Sequence, residues 1–333
     1  MIRVVQLQNG NARAVALVAE PRLRLLPGMA SVLSLAQEAV ATGTALTALI
    51  AQKATGEWLD YDPIYEGRSE WRLRPAMDHP EEPARCLVSG TGLTHLGSAE
   101  NRQRMHAAKE AELTDSMKMF RLGVAGGKPA PGCAGNAPEW FYKGGGAILR
   151  AHGEPLVVPA YGEDGGEEAE IAGVYFVDAA GRPHRIGMAV GNEFSDHQFE
   201  RRNYLNLAGS KIRTCALGPE LVIAPEFQSV PGRVAIERAG RELWSKAIAT
   251  GEQEMCHSLR NVEQHHFKFA THRRPGDVHV HFFGAHSLSF GDGVQLADGD
   301  TMKISFAGFG RALCNPLRVE PRETILIPVE PLT

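Results

Sequence analysis

The sequence predicts an α+β fold rich in strands and led by a small α/β unit, and three observations carry the prediction. Short apolar runs with strand-like alternation recur from end to end, helical three-to-four spacing is confined to a few stretches, and the 36 glycines fall largely at turns between runs. At 333 residues, with 43% hydrophobic and 22% charged side chains, the chain can bury one large or two modest cores and is neither disordered nor fibrous. Its 35 basic and 39 acidic residues give a formal charge of -4. That balance lacks the positive footprint of a nucleic-acid binder, so no nucleic-acid partner is expected.

The elements follow in order. Ile2–Leu7 and Ala14–Val18 alternate as two strands joined by a hairpin-like Gln8-Asn9-Gly10-Asn11. Apolar residues from Met29 to Thr55 recur at helical spacing, with a break expected near Gly43. The stretch from Glu66 to Arg85 is charged and proline-bearing and reads as a linker, dividing the chain into residues 1–85 and 86–333. A short strand, Cys86–Gly90, precedes a helix expected over 98–122 with Ser98 as its N-cap. The glycine-rich stretch from Gly126 to Gly146 matches no phosphate-loop pattern and reads mostly as a structured loop.

Strands are then expected at 156–159, 168–177, 185–190 and 220–224, followed by a hairpin over 234–247 turning at Ala239-Gly240. Thr250 to Gln253 fits a capping box for a helix over 252–267, and the last strands fall at 277–283, 301–306 and 324–329. The five cysteines are scattered and form no C-x-x-C pair, which reads as reduced thiols. No run approaches 18 apolar residues and the first residues lack the order of a signal peptide, so a cytoplasmic protein with no membrane partner is expected.

The strongest chemical signal is Glu168-x-Glu170 at the start of the apolar run IAGVYFV. Residues i and i+2 share one face of a strand, so two carboxylates stand side by side against core, an arrangement that favours a cation between them. Glu193, at the end of the next strand, adds a third oxygen ligand, and such a set suits Mg²⁺ or Mn²⁺. On the residues alone, a solvated acidic edge formed by Glu167, Glu168 and Glu170 stays open beside the metal site. Lys211, in a Gly-Ser-Lys segment, reads either as a base of depressed pKa or as a surface cation. Seven histidines between His257 and His286, including His279-x-His281, lack a recognisable zinc spacing and read as exposed or core-satisfied. No G-x-S-x-G elbow or motif-paired cysteine supports a nucleophilic enzyme.

In chain order, Gly92-Leu93-Thr94-His95, Pro138-Glu-Trp-Phe-Tyr-Lys143, Glu168-Ala-Glu170, Val190-Gly-Asn-Glu193-Phe-Ser195, Gly209-Ser-Lys211, Leu217-Gly-Pro219 and Arg274-Pro-Gly-Asp277 resemble successive motifs of the fumarylacetoacetate hydrolase superfamily. Gly308-Phe-Gly310 and Asn315-Pro316 resemble its closing segments, so the resemblance spans some 230 residues. It implies a mixed β-sandwich roll, a homodimer, metal ligation by Glu168, Glu170 and Glu193, catalysis by Lys211, and substrate contacts from Lys143, Thr94 and Ser98.

The departures narrow the expected activity. Hydrolytic members carry a water-activating His and Glu where this chain has Ser98 and Asn101, neither of which is a base at neutral pH. Glu193 stands where the family usually has Asp and keeps an oxygen donor, and the family's T-G-T after P-G-D is replaced by residues ending in His281-Phe-Phe283-Gly284. Retained metal ligands and lysine without the dyad resemble the branch that dehydrates 2-keto-3-deoxy sugar acids. The expected reaction is Mg²⁺-dependent (or Mn²⁺-dependent) loss of water from a 2-keto-3-deoxypentonate to give 2,5-dioxopentanoate. Hydrolysis of an acylpyruvate or 2,4-diketo acid, oxaloacetate-type decarboxylation and a non-catalytic sugar-acid-binding role are the alternatives.

Overall fold

The computed structural model describes residues 1–106, 113–324 and 326–332. Chain order begins with β1 (Ile2–Asn9), β2 (Ala12–Ala19), β3 (Arg22–Leu26), α1 (Val32–Thr42), α2 (Leu46–Lys53), β4 (Trp58–Asp60), α3 (Tyr61–Tyr65) and the short β5 (Arg72–Leu73). The connection between β1 and β2 is two residues long, which permits only antiparallel pairing. The lead is therefore an antiparallel meander with helices packed on it. The helical stretch breaks where expected, at Gly43, whose φ of 65° caps α1.

Next come β6 (Cys86–Gly90), α4 (Leu96–His106), α5 (Asp115–Gly126), β7 (Phe141–Gly145), β8 (Leu149–Arg150) and β9 (Leu156–Val158). The remainder comprises β10 (Ala169–Val177), β11 (Pro183–Asn192), α6 (His197–Arg202), α7 (Leu207–Lys211), β12 (Cys215–Ile223), β13 (Val230–Arg238), β14 (Arg241–Thr250), α8 (Leu259–Phe267), β15 (Val278–Phe282), β16 (Thr301–Phe306) and β17 (Leu313–Val319). One 12-stranded sheet runs β4-β3-β2-β1-β12-β11-β10-β15-β6-β7, with β5 and β8 paired off this path, and a five-stranded sheet runs β14-β13-β16-β17-β9. Because β1 is hydrogen-bonded to β12, residues before the proline-bearing linker extend the same sheet as those after it.

The large sheet is covered on both faces. From β10, Ala172, Val174 and Phe176 enter a core shared with α1 and α2, while Ala169 and Ile171 enter a second core against the smaller sheet. This explains why β10 and β12 are buried at all nine positions and read as unbroken apolar runs. No single described helix is long and apolar enough to cross a membrane.

Three expected elements are placed differently. In place of one helix over 98–122, α4 begins at Leu96 with Ser98 inside its first turn, and a new helix, α5, starts at the Thr114 cap; residues 107–112 of the expected span lie outside the described residues. The expected helix over 252–267 begins only at Leu259, capped by Ser258, because Thr250 still belongs to β14. Glu252 instead caps that helix from a distance, accepting from Leu259 N at 2.9 Å. No strand forms at Thr324 or over 326–329; after β17 the chain is held by the bonds from Glu320 N to Val158 O and Glu323 N to Ala160 O, and its described residues take up no further strand pairing. The strand that does form near the end is β17, obscured in the sequence by Pro316.

Candidate metal centre

β10 and β11 are antiparallel neighbours in the register Ala169↔Asn192, so the start of one strand meets the end of the other. Glu168 and Glu170 project from the β10 end with the alternation of a strand, and Glu193 follows β11, its N–H bonded to the Glu168 carbonyl at 3.0 Å. Carboxylate oxygens of the three residues converge within 4.8 Å of one another, and all three side chains are buried. The solvated-edge reading is thereby excluded.

Two lysines enter from other elements. Lys211, at the end of α7, donates to Glu168 Oε1 at 2.6 Å and also to Glu193 Oε2. Lys143, in β7, donates to Glu193 Oε1 at 2.5 Å and to the Phe194 carbonyl at 2.9 Å. Phe194 adopts a left-handed φ of 46°, a strained turn that brings its carbonyl to this lysine. The backbone N–H of Gly284 donates to Glu170 Oε2 at 2.7 Å, tying the segment after β15 to the site.

The electrostatics are those of carboxylates short of positive charge. Burial, reinforced by repulsion from Glu193 and Glu168, pushes Glu170 well above the usual carboxylate range. Burial opposes ionising Glu168 too, but Lys211 and His197 outweigh it and hold this carboxyl low. Burial and Glu168 raise Glu193. Burial disfavours the charged form of Lys211, yet Glu168 and Glu193 prevail and hold its proton tightly. Hard oxygen donors, complete burial and two lysines against three carboxylates fit a divalent cation of the Mg²⁺ class.

Four of the sequence-predicted residues, Glu168, Glu170, Glu193 and Lys211, are thus brought together, and Ser98 lines the same narrow cavity of about 20 Å³. Lys143 and Thr94 are placed otherwise than the resemblance implied. Lys143 is wholly buried on Glu193, so its charge supports a carboxylate of the protein and has no free face for substrate. Thr94 donates its hydroxyl to the Phe283 carbonyl at 2.7 Å beneath the cavity, anchoring the turn before α4.

Sequence reasoning missed Arg102, His197 and Glu200, all lining the cavity. Arg102 is gripped by Glu139 at 2.6 Å and Glu200 at 2.8 Å, and His197 Nε2 meets Glu168 Oε1 at 3.1 Å. For His197 and Glu200 the available signal was charge density: the segment Asp196-His-Gln-Phe-Glu200 begins three residues after Glu193. In the histidine-rich segment His266, His272 and His281 are core-satisfied, one of the two outcomes expected, whereas His279 is buried with its Nε2 without a hydrogen-bond partner among the described residues. His266 Nε2 lies 3.0 Å from His279 Nδ1, and Trp140 donates to His266 Nδ1 at 3.1 Å. His281 sits between the hydroxyls of Ser89 at 2.8 Å and Thr91 at 2.7 Å.

These features define a strand-rich fold of the fumarylacetoacetate hydrolase type with a buried carboxylate centre. Among solved structures, a fumarylacetoacetate hydrolase from Exiguobacterium antarcticum overlays with a TM-score of 0.61 at 15% identity, over 96% of this chain and all of that one. A hexagonal crystal form of 2-keto-3-deoxyarabinonate dehydratase overlays with a TM-score of 0.72 at 18% identity, over 96% of this chain and 99% of that one. 2-Keto-3-deoxy-D-arabinonate dehydratase in complex with magnesium and 2,5-dioxopentanoate gives 0.70 at 18%, over 96% and 100%. A 5-carboxymethyl-2-hydroxymuconate delta-isomerase from Mycobacterium smegmatis shares the fold as well, at a TM-score of 0.56 and 17% identity over 96% and 99%. No family signature matches the chain, and no curated protein matches it by sequence. The likenesses establish the fold, which hydrolases, isomerases and dehydratases have in common.

Proposed function

We propose that the protein is a divalent-metal-dependent dehydratase of a 2-keto-3-deoxy sugar acid, most specifically 2-keto-3-deoxypentonate. The carrying observation is the buried Glu168, Glu170 and Glu193 centre with Lys211 at its edge and Ser98 lining its cavity; the resemblance puts Ser98 and Asn101 at the positions of the water-activating His and Glu of hydrolytic members. The fold shared with a dehydratase complexed with magnesium and 2,5-dioxopentanoate supports the same reading. When bound by the three glutamates, a divalent ion supplies the positive charge that stabilises an enolate of a 2-keto acid.

The chain's own residues do the rest. Lys211 rests as an ammonium on Glu168 and Glu193; to act as the base it would first release that proton to bulk water, after which its neutral Nζ accepts the C3 proton of the substrate. The released electron pair forms the C3–C4 double bond as the C4 hydroxyl takes that proton from the Lys211 ammonium and leaves as water, and the resulting 5-hydroxy-enone tautomerises to the 5-aldehyde. Lys143 favours the ionised form of Glu193 and holds it in place, and Arg102, Ser98 and Met105 enclose the cavity and limit water.

A panel of 2-keto-3-deoxy acids with Mg²⁺, Mn²⁺ or EDTA, coupled to an NAD(P)-dependent aldehyde dehydrogenase, tests this. Metal-dependent semialdehyde formation is expected. Loss of the absorbance of a 2,4-diketo acid instead would make the protein a hydrolase, and CO₂ release from oxaloacetate would make it a decarboxylase. Ligand stabilisation without turnover would leave a binding protein.

A further inference from the structure

His197 is the first residue of α6, and its ring is buried with 1% of its surface exposed. Its mounting is rigid. The cap of that helix, Asp196, accepts from Phe199 N at 2.9 Å and from Glu163 N at 2.9 Å, and takes Arg213 Nη2 at 2.8 Å. The imidazole fills a flat slot between the Phe290 ring, 5.2 Å away centroid to centroid, and Gly166, where a methyl group would run into the ring. Among the described residues Nδ1 finds no hydrogen-bond partner, and the one hydrogen bond of this buried ring is between Nε2 and Glu168 Oε1 at 3.1 Å.

Lys211 donates to that same oxygen at 2.6 Å. Among the described residues neither a lysine nor a histidine donates to Glu168 Oε2. Two donors on one oxygen restrain the rotation of the carboxylate and leave the other oxygen free of both. An ammonium on a flexible stem sets this rotation poorly, whereas an imidazole wedged in a slot sets it well.

From this geometry we infer that His197 is a positioning residue for the metal centre: it orients Glu168 so that Oε2 is the oxygen offered to a divalent cation. The inference rests on the reading of Glu168, Glu170 and Glu193 as the ligands of such a cation. It makes α6 part of the metal-binding apparatus, although this helix contributes no ligand itself.

The test is the affinity of the full-length protein for Mn²⁺, by electron paramagnetic resonance, with Mg²⁺ as competitor. His197→Phe fills the slot without a donor, His197→Gln restores a donor that reaches Glu168, and His197→Asn supplies a donor too short to reach. The expected result is a loss of Mn²⁺ affinity of roughly 10–100-fold in His197→Phe and His197→Asn, with most of it recovered in His197→Gln. Parental affinity in His197→Phe would overturn the inference, as would equal losses in the Gln and Asn variants, a comparison that holds even if His197→Phe fails to fold. A parent protein that binds neither ion would overturn the metal-site reading together with it. A parent that binds Mn²⁺ but turns over no 2-keto acid would overturn only the proposed dehydratase activity.

Discussion

Acidification should destabilise this protein through the histidines behind the sheet, and replacing His281 by Gln isolates the effect. His281 is 1% exposed in β15, and burial first, then the neighbouring His279 and His272, push its imidazole from 6.5 down to about 3. The fold thus prefers the neutral ring. Its contribution is fully present above the unfolded value near 6.5 and is lost as pH falls from there toward the folded value. At about pH 5 the fold has forgone about 1.5 pH units of protonation, or about 2 kcal/mol, for this one group. His279, also pushed down to about 3 by burial and His272, behaves alike and remains in the variant.

Urea unfolding of parent and His281→Gln at a series of pH values measures the difference. The substitution also disturbs the bonds to Ser89 and Thr91, which adds an offset that does not depend on pH. The buried carboxyls, several of them raised and therefore stabilising on acidification, are common to both proteins and cancel. The stability advantage of the parent should shrink by about 2 kcal/mol between about pH 7 and about pH 5. An advantage that stays constant over this range would refute the reasoning, because it would mean that the ring is already charged or freely solvated in the fold.

The metal centre yields further expectations. Glu170→Gln keeps an acceptor for Gly284 N–H and removes a crowded carboxyl, so the metal-free melting temperature should hold or rise while Mn²⁺ affinity falls at least about tenfold. Lys211→Met should lower turnover by roughly 10²–10⁴-fold yet hold or tighten Mn²⁺ binding, since Lys211 occupies oxygens of Glu168 and Glu193; near-parental turnover would remove it as the base. Gly284→Ala combines a φ of +99° with a methyl group driven into the Thr94 hydroxyl, and thermal unfolding should show a loss of about 1–3 kcal/mol with weaker Mn²⁺ binding.

Much of the fold was legible wherever local periodicity and turn chemistry agree. The β1–β2 and β13–β14 hairpins and the break at Gly43 follow from residues close in the chain, and Ala239 and Gly240 take the positive φ values that a tight hairpin requires. Legibility failed where a side chain that looks local is used at long range. Thr250 resembles a helix cap but accepts or donates across 155 residues to His95, so the cap falls to Ser258. Pro316 looks like a breaker, yet it sits at a strand position opposite Thr301.

The carboxylate centre shows the same division. Alternation along one strand placed Glu168 and Glu170 on a common face, so the pairing of two carboxylates belongs to the sequence by itself, whereas their burial, left open there against a solvated edge, was settled by the packing of the sheets. Tertiary structure decided the rest. The antiparallel register of β10 and β11 carried Glu193 to Glu168, α6 and α7 delivered His197 and Lys211 to Glu168 from 29 and 43 residues away, and β7 delivered Lys143 to Glu193 from 50 residues away. Whether a lysine faces a substrate or supports a ligand depends on which carboxylate it meets after folding, and Lys143 meets Glu193. Periodicity reports the face of an element, whereas charge pairing in a buried site is set by distances that exist only once the sheets have closed.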